Sequence, residues 1–227
     1  MRLRTTTAML SLALGIAWLV GCTDVPSNGP TPPEVNSETR FMNADPNLTA
    51  NLALDLGPAI SGLGFGQATS HQTFPSGARK GVLSGEPDTL RIAMTTDQRA
   101  TIIFLPTTGG FREILKVIER RIFDPPAVNP GKFQVVYVAT DSTGGEGPAV
   151  DIRITGADTT LNLTNSAFKF VSGYKNIPSG SYTVDVFAGG DSTASATTTV
   201  NVGNSRYTSV IVSDATGALS FVDMADE

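Results

Sequence analysis

Two residue types that often carry chemistry occur once each in the 227 residues, as Cys22 and His71. A cysteine sulfur can act as a nucleophile or accept a covalent group, and a histidine can act as base for a serine. Ser70 directly precedes His71. Neighbouring residues of a strand point to opposite faces, so these two side chains cannot form a dyad. We interpret His71 as a surface or rim histidine and predict no catalytic residues.

Metal chemistry also finds little support in the sequence. Zinc and copper sites require several nitrogen or sulfur ligands, and the chain holds one histidine and one cysteine. Residues 141–147 (DSTGGEG) and 189–193 (GGDST) could offer oxygens to Ca²⁺. Neither segment has EF-hand spacing, and Asp, Ser, Thr and Gly also favour simple turns. The sequence therefore predicts no metal and no cofactor, with calcium as the open alternative.

The surroundings of Cys22 point to export. Arg2 and Arg4 precede a segment of 13 uncharged residues, Ala8 to Val20. A positive start and a short apolar core are typical of a secretory signal peptide. Thirteen helical residues span roughly 20 Å, less than the ~30 Å hydrocarbon core of a bilayer. We predict that residues 1–21 are a signal peptide.

The four residues Leu19, Val20, Gly21 and Cys22 resemble the lipobox of bacterial lipoproteins. This resemblance implies cleavage before Cys22, a diacylglycerol on its sulfur and an acyl chain on the new amino group. Two or more acyl chains anchor a protein stably where one does not. Thr23, in place of Asp, favours the outer membrane by the same resemblance. An ordinary signal peptide with an incidental cysteine is the alternative.

The charge of the chain limits its partners. Loss of residues 1–21 removes Arg2 and Arg4, which takes the formal net charge from -5 to -7. An acidic chain without a basic cluster is a poor partner for nucleic acid or anionic lipid headgroups. We expect the lipid to be the link to the membrane, and an envelope protein or a glycan to be the possible partner.

The remaining chain reads as a tether followed by strands. Residues 22–38 are proline-rich and indicate a semi-extended linker. From Lys132 onward, seven short β-branched or alternating segments are separated by turn-forming residues, a pattern typical of an antiparallel sandwich. Ile152 and Ile154 are expected to face its core. Residues 112–121 are interpreted as a strand, with a short helix as the alternative. We predict an all-β fold with domains at 39–122 and 132–227 joined by a linker at 123–131.

An internal repeat supports this division. The segment FGQATSHQTFPSG, residues 65–77, aligns with FKFVSGYKNIPSG, residues 168–180, at an offset of 103. Arg99–Thr101 aligns with Arg206–Thr208 at an offset of 107. Two coincidences at nearly one offset indicate a duplicated unit of about 100 residues, with chance similarity as the alternative.

The second copy carries FVSGYKNIPSGSYTVDVF and GNSRYTSVIVS, which resemble the bacterial family called domain of unknown function 4397. The resemblance implies tandem immunoglobulin-like β-sandwiches in exported proteins and implies no activity. The first copy departs from this pattern at three tyrosine positions: His71 aligns with Tyr174, Arg79 with Tyr182, and Ala100 with Tyr207.

The tyrosines bear on glycan binding, since β-sandwiches stack sugars on exposed aromatic rings. All four tyrosines lie in the second copy, and three occupy motif positions in strands. We expect them to pack in the core with their hydroxyls hydrogen-bonded. The sequence thus predicts a non-enzymatic envelope lipoprotein in an interaction or structural role. The alternative is a glycan- or peptide-binding module.

Overall fold

Strands with alternating burial make up the part of the chain that the structure describes. In β10, Val150–Thr155, Ile152 and Ile154 are buried and Arg153 between them is exposed, as the alternation predicts. The buried face of β14, Gly180–Ala188, carries Tyr182, Val184 and Val186. The segment read as a strand from residue 112 contains β8, Ile114–Arg121.

The computed structural model describes residues 35–86, 89–106, 112–122 and 130–226. The predicted signal peptide, the site residues Leu19, Val20, Gly21 and Cys22, and linker residues up to 34 lie outside the described residues. Residues 123–129 of the second predicted linker do so as well.

The first half contributes two four-stranded sheets. Sheet 1 has the order β4-β1-β7-β8, and sheet 2 has the order β3-β2-β5-β6. The strands are β1 Asn36–Asn43, β2 Ala50–Leu54, β3 Ile60–Leu63, β4 Gln72–Pro75, β5 Gly77–Leu83, β6 Thr89–Met94, β7 Gln98–Phe104 and β8 Ile114–Arg121.

The second half contributes sheet 3, with the order β12-β9-β16-β17 and β13 also paired to β9, and sheet 4, with the order β11-β10-β14-β15. The strands are β9 Gly131–Tyr137, β10 Val150–Thr155, β11 Thr160–Ser166, β12 Phe170–Val171, β13 Lys175–Ile177, β14 Gly180–Ala188, β15 Ala196–Val202, β16 Arg206–Ser213 and β17 Leu219–Asp226.

The strand order of the first half recurs in the second. β1 pairs with β7 in parallel, and β9 pairs with β16 in the same way, while the other pairings are antiparallel. The sequence repeat falls on matching places, since Arg99–Thr101 lies in β7 and Arg206–Thr208 in β16. The described chain is all-β and contains no helix within the described ranges, which agrees with the predicted β-sandwich class.

Each half encloses its own apolar core. Sheets 1 and 2 cover a cluster that includes Phe41, Phe74 and Phe104. Phe41 packs edge-on against Phe74 and stacks on Phe104, with ring centroids 5.8 and 5.9 Å apart. Sheets 3 and 4 cover a second cluster around Tyr137 and Tyr182.

A third core joins the halves. Sheets 1 and 3 pack on each other through the faces that point away from the core of their own half. The residues of this third core are Met42, Ala44, Ile103, Leu105, Val117, Val136, Val138, Val210, Val212 and Met224. All ten are at most 5% exposed. The sheets therefore form four layers in the order 2, 1, 3, 4, and residues 35–227 belong to one compact unit.

The start of the folded part differs slightly from the prediction. β1 begins at Asn36, so the last three residues of the linker predicted at 22–38 form strand pairs with β4. Among the residues that the structure describes, none lies in a helix long and apolar enough to cross a bilayer.

Candidate functional site

The single histidine contacts a buried carboxylate. His71 Nε2 lies 2.8 Å from Oε2 of Glu119. The Glu119 side chain is fully buried, and that of His71 is 17% exposed. His71 immediately precedes β4, an edge strand of sheet 1, so it is a half-buried rim residue. Ser70 is exposed, and no bond joins its side chain to the imidazole.

Two further side chains complete this network, which we call the Glu119 cluster: Arg40, His71, Thr101 and Glu119. Arg40 Nη2 is 2.7 Å from Glu119 Oε1, and Arg40 Nε donates to Thr101 Oγ1 at 2.8 Å. The Thr101 hydroxyl donates to the same carboxylate oxygen. Arg40 Nη1 also donates to the carbonyl of Ala225 in β17 at 3.1 Å. The cluster therefore bonds the first half to the second.

A β-bulge supplies the carboxylate. Arg99 pairs with Arg120 and Ala100 pairs with Ile118, which leaves Glu119 as an extra residue of β8. A bulge of this kind redirects a side chain at the edge of a sheet. Arg40 and Thr101 are direct partners in the parallel β1–β7 pairing, so the three groups meet on one face of sheet 1.

The electrostatics of the cluster favour an ionised Glu119. Burial raises the pKa of this carboxyl, but the hydrogen bond with His71, the charges of Arg40 and His71 and the Thr101 hydroxyl outweigh it and lower the pKa below its ordinary value. Both carboxylate oxygens are occupied by these partners. The arrangement can hold the two halves together, and it leaves neither oxygen of Glu119 open to a substrate.

Neutral side chains occupy the corresponding positions of the second half, Gln134, Tyr174 and Thr208. Thr208 aligns with Thr101, and its Oγ1 accepts a hydrogen bond from Gln134 Nε2 at 3.0 Å. Tyr174 Oη lies 3.1 Å from the same hydroxyl. Tyr174 is the residue that the repeat aligns with His71. The substitution of histidine for tyrosine therefore accompanies a second difference, since Arg40 pairs with Thr101 where Gln134 pairs with Thr208.

At a second position where the two copies differ, Arg79 and Tyr182 make the same contact with a proline carbonyl. Tyr182 Oη donates to the carbonyl of Pro178 at 2.7 Å. Arg79, its counterpart, donates through Nε and Nη2 to the carbonyl of Pro75 at 3.0 and 2.6 Å. Pro75 and Pro178 are 103 residues apart, the offset of the repeat, so two different side chains fix the same turn.

Two adjacent cavities lie beyond the carboxyl-terminal ends of β9 and β16. Their volumes are about 320 and 350 Å³, and Thr140, Asp141 and Ser142 line both. The first also reaches the first half at Asp45 and Pro106. We call this region the loop end of the molecule.

Twin turns shape the loop end. Asp141 Oδ1 accepts hydrogen bonds from the backbone and hydroxyl of Thr143 and from the backbone of Gly145, at 2.7–2.9 Å. Asp214 Oδ1 accepts the same three bonds from Thr216 and Ala218 at 2.6–3.1 Å. The hydrogen bonds from the threonine hydroxyls, followed by those from backbone amides, lower the pKa of each aspartate.

An ion-pair network forms the opposite wall of the first cavity. Arg112 Nη1 is 2.7 Å from Asp45 Oδ2, and Nη2 is 2.7 Å from Glu86 Oε1. Arg112 also donates to the carbonyl of Leu105 at 2.9 Å. The Arg112 and Asp45 side chains are 6% and 4% exposed, so the guanidinium is a fixed part of the wall.

The two segments that could offer oxygens to calcium lie in different places. Residues 141–144 line the two loop-end cavities, whereas Asp191 and Ser192 line a third cavity of about 360 Å³ on the outer face of sheet 4. Within the described ranges, no three His, Cys, Asp or Glu side chains group closely enough to hold a metal ion.

Two of the four tyrosines pack in the core as expected. Tyr137 and Tyr182 are 1% and 4% exposed, and Tyr137 Oη donates to the carbonyl of Pro148 at 2.9 Å. Burial raises the pKa of Tyr137. Tyr174 and Tyr207 are half-buried, so the structure gives no exposed ring platform on any of the four tyrosines.

Sequence reasoning missed both the Glu119 cluster and the loop end. The cluster depends on a bulge, for which residues 112–121 carry no distinctive pattern. The loop end had a usable signal, since Asp-x-Thr-Gly occurs at 141–144 and again at 214–217.

Comparisons with known proteins give one family match. Residues 132–227 match the model described as "Domain of unknown function (DUF4397)". No curated protein matches the chain. Among solved structures, "The Bacillus anthracis TIE protein" matches with 12% identity and a TM-score of 0.26 over 78% of this chain. The chain spans 34% of that structure's length, and a likeness at this level carries no argument.

Proposed function

We propose that this protein is a non-enzymatic lipoprotein of the bacterial cell envelope, anchored in the outer membrane through lipid on Cys22. Two copies of one β-sandwich unit, with the predicted boundaries 39–122 and 132–227, form its folded part. That part serves an interaction or structural role.

The observation that carries the proposal is the segment Leu19–Cys22, which follows Arg2, Arg4 and 13 uncharged residues. The fold adds support. The side chain of the single histidine is bound to Glu119, which is the arrangement of a structural contact. The central core packs the two halves against each other, which suits a spacer or a scaffold.

The direction of the strands supports a role for the loop end. The described chain starts at Val35, just before β1, and Asp45 after β1 lines the first cavity. Eight residues of strand span roughly 26 Å. The loop end therefore lies at the far end of sheet 1 from Asn36, where β1 begins.

The anchor is tested by Cys22→Ala in the native cell. Without the sulfur, no diacylglycerol can be attached, so we expect the protein to leave the membrane fraction or to stay unprocessed. Membrane fractionation and electrophoretic mobility measure the outcome. Thr23→Ala, one residue further on, is the matched control and should remain membrane-bound.

A Cys22→Ala variant that fractionates and migrates like wild type would refute the lipid anchor. An outer-membrane position is checked separately, by density-gradient separation of the two membranes. Wild-type protein in the inner-membrane fraction would refute that part alone.

A second candidate function, binding of a glycan or peptide, is favoured by the two loop-end cavities. Their volumes fall in the range of small-molecule sites, about 300–1,000 Å³. They are lined by hydroxyl and carboxylate groups of Thr140, Asp141, Ser142 and Asp214.

This candidate is tested with a glycan array and peptidoglycan fragments. Ser142 is exposed and lines both cavities, so Ser142→Trp should fill them and weaken binding by roughly tenfold or more. Ser192→Trp, in the third cavity, is the control and should bind like wild type. No binding by wild type at micromolar protein, or equal binding by Ser142→Trp, counts against the second candidate.

A further inference from the structure

The edge strand β15 offers an unusually open pairing surface. It forms an uninterrupted ladder with β14, from Gly180 opposite Val202 to Val186 opposite Ala196. Apart from this ladder with β14, no backbone hydrogen bond joins Ala196–Val202 to another described part of the chain. The outer row of amide and carbonyl groups of this seven-residue strand therefore faces away from the sheet without a described backbone partner.

Most edge strands carry features that discourage pairing with another chain, such as charge, proline, a bulge or shortness. The sequence ATTTVNV of β15 has no charge and no proline, and its register has no bulge. Every other described edge strand has at least one such feature. β3, β4, β12 and β13 have four residues or fewer, β6 carries Arg91, β8 is charged and bulged, β17 carries Asp223 and Asp226, and β11 is bulged.

The β15 sequence is also complementary to itself. In an antiparallel pair centred on Thr199, Thr197 would face Asn201 and Thr198 would face Val200. Thr197, Thr199 and Asn201 are exposed on one face of sheet 4, and Val200 and Val202 are buried on the other. A two-fold axis perpendicular to the sheet keeps each face on its own side. On the exposed face, polar residues would thus meet polar ones, and no like charges would meet on either face.

From these observations we propose that β15 pairs with β15 of a second copy of this chain. The product is a continuous eight-stranded sheet with the order β11-β10-β14-β15 followed by its two-fold repeat. The pairing completes the backbone hydrogen bonds of both edges and covers the strands that are open to aggregation. This inference concerns self-association and holds whether or not Cys22 carries lipid.

A cysteine at the symmetry centre tests the proposal in the full-length chain in its native cell. Thr199 and Thr160 are exposed residues in one cross-strand row of sheet 4, at its opposite edges, with Thr155 and Thr183 between them. Thr160→Cys is therefore a matched control for Thr199→Cys.

We expect Thr199→Cys to give a disulfide-linked dimer on non-reducing electrophoresis and Thr160→Cys to give roughly tenfold less, because facing Cα atoms about 4.5–5.5 Å apart are within disulfide range. Equal crosslinking of the two variants would overturn the proposal. Crosslinking of Thr199→Cys to a different protein would overturn the second copy as the occupant.

Sedimentation of the detergent-solubilised full-length chain gives an independent test. Thr199→Lys would place two ammonium groups opposite each other across the axis, and like charges in facing positions disfavour strand pairing. We expect a dimer for wild type and for Thr160→Lys, and a monomer with an unchanged far-UV circular dichroism spectrum for Thr199→Lys. A wild-type monomer at all concentrations, or a Thr199→Lys dimer, would contradict the proposal.

Discussion

Glu119 shows how one buried charge organises a place where two halves meet. Its carboxylate is fully buried and contacts Arg40, His71 and Thr101, and Arg40 continues to the backbone of β17. Buried ion pairs add little net stability when intact, because both charges lose hydration. Removal of one partner is costly, because the other charge then stays buried without compensation. The cluster therefore contributes mainly to the specificity of the packing between the halves, because packing that separates its members leaves a buried charge unpaired.

This reasoning predicts the effect of Glu119→Gln. The substitution keeps the shape of the side chain and leaves the Arg40 guanidinium buried beside a neutral amide. We expect the free energy of unfolding at neutral pH to fall by about 3 kcal/mol. Urea denaturation measures this quantity.

The matched control for Glu119→Gln is Asp185→Asn, which removes a carboxylate from the pair between Asp185 and Arg153, whose side chain is 49% exposed. An exposed pair of this type contributes less than about 1 kcal/mol. Similar losses of unfolding free energy in the two variants would show that the burial of Glu119 does not increase the effect of its substitution.

The same residue contributes to the pH dependence of stability. The pKa of Glu119 is lower in the folded state than its ordinary value of 4.5. Its stabilising contribution is therefore fully present above the unfolded-state pKa, and it is lost as pH falls through the folded-state pKa. Wild-type stability should decline with acidification below about pH 4.5, and more steeply than that of Glu119→Gln. If the free energy of unfolding falls equally in the two proteins as the pH is lowered from 6, this assignment is wrong.

At the scale of strands, alternation and turn residues predicted much of what the structure shows. Short apolar segments between Gly, Ser and Asn gave the strands of the second half, and the imperfect pattern of residues 112–121 was read correctly as a strand. The bulge at Glu119 could not be predicted in this way, because it depends on the register between β7 and β8 and not on local composition.

Residues 168–177 (FKFVSGYKNI) form two short strands, because a side chain takes the place of a backbone acceptor between them. The strands are β12 at Phe170–Val171 and β13 at Lys175–Ile177. Between them, Ser172 Oγ accepts a hydrogen bond from the backbone of Val135 at 2.9 Å, and Gly173 has a φ of 65°. A left-handed glycine turns the chain out of the sheet at no steric cost. Local propensity alone does not reveal this tertiary bond.

At the scale of the whole molecule, the central core is the feature that changes the picture of two independent sandwiches. The sequence contained a signal for it. The runs IIF in β7, VVYVA after Gln134 and VIV in β16 are continuously apolar, and such runs indicate strands buried on both faces. If each half were a separate sandwich, these strands would have only one buried face. In the structure, sheets 1 and 3 are inner layers, and the halves share a cluster of ten buried apolar residues.

A shared core predicts that the halves unfold together, and the tyrosines allow a direct test. Residues 23–227 contain no tryptophan, and all four tyrosines lie in the second half. Tyrosine fluorescence therefore reports the second half alone. Leu52 is 1% exposed in the core between sheets 1 and 2, away from the second half. Leu52→Ala should destabilise by about 2–5 kcal/mol.

If the central core couples the halves, Leu52→Ala should lower the urea midpoint seen by tyrosine fluorescence as much as that seen by circular dichroism. Val200→Ala, in the core between sheets 3 and 4, is the positive control, because it must lower the tyrosine midpoint under either model. A tyrosine midpoint that Leu52→Ala leaves at its wild-type value would mean that the second half is stable by itself. The buried faces of Val136, Val138 and Val210 would then serve as a docking surface between two autonomous domains, and the Glu119 cluster would fix their orientation without contributing to the folding of either.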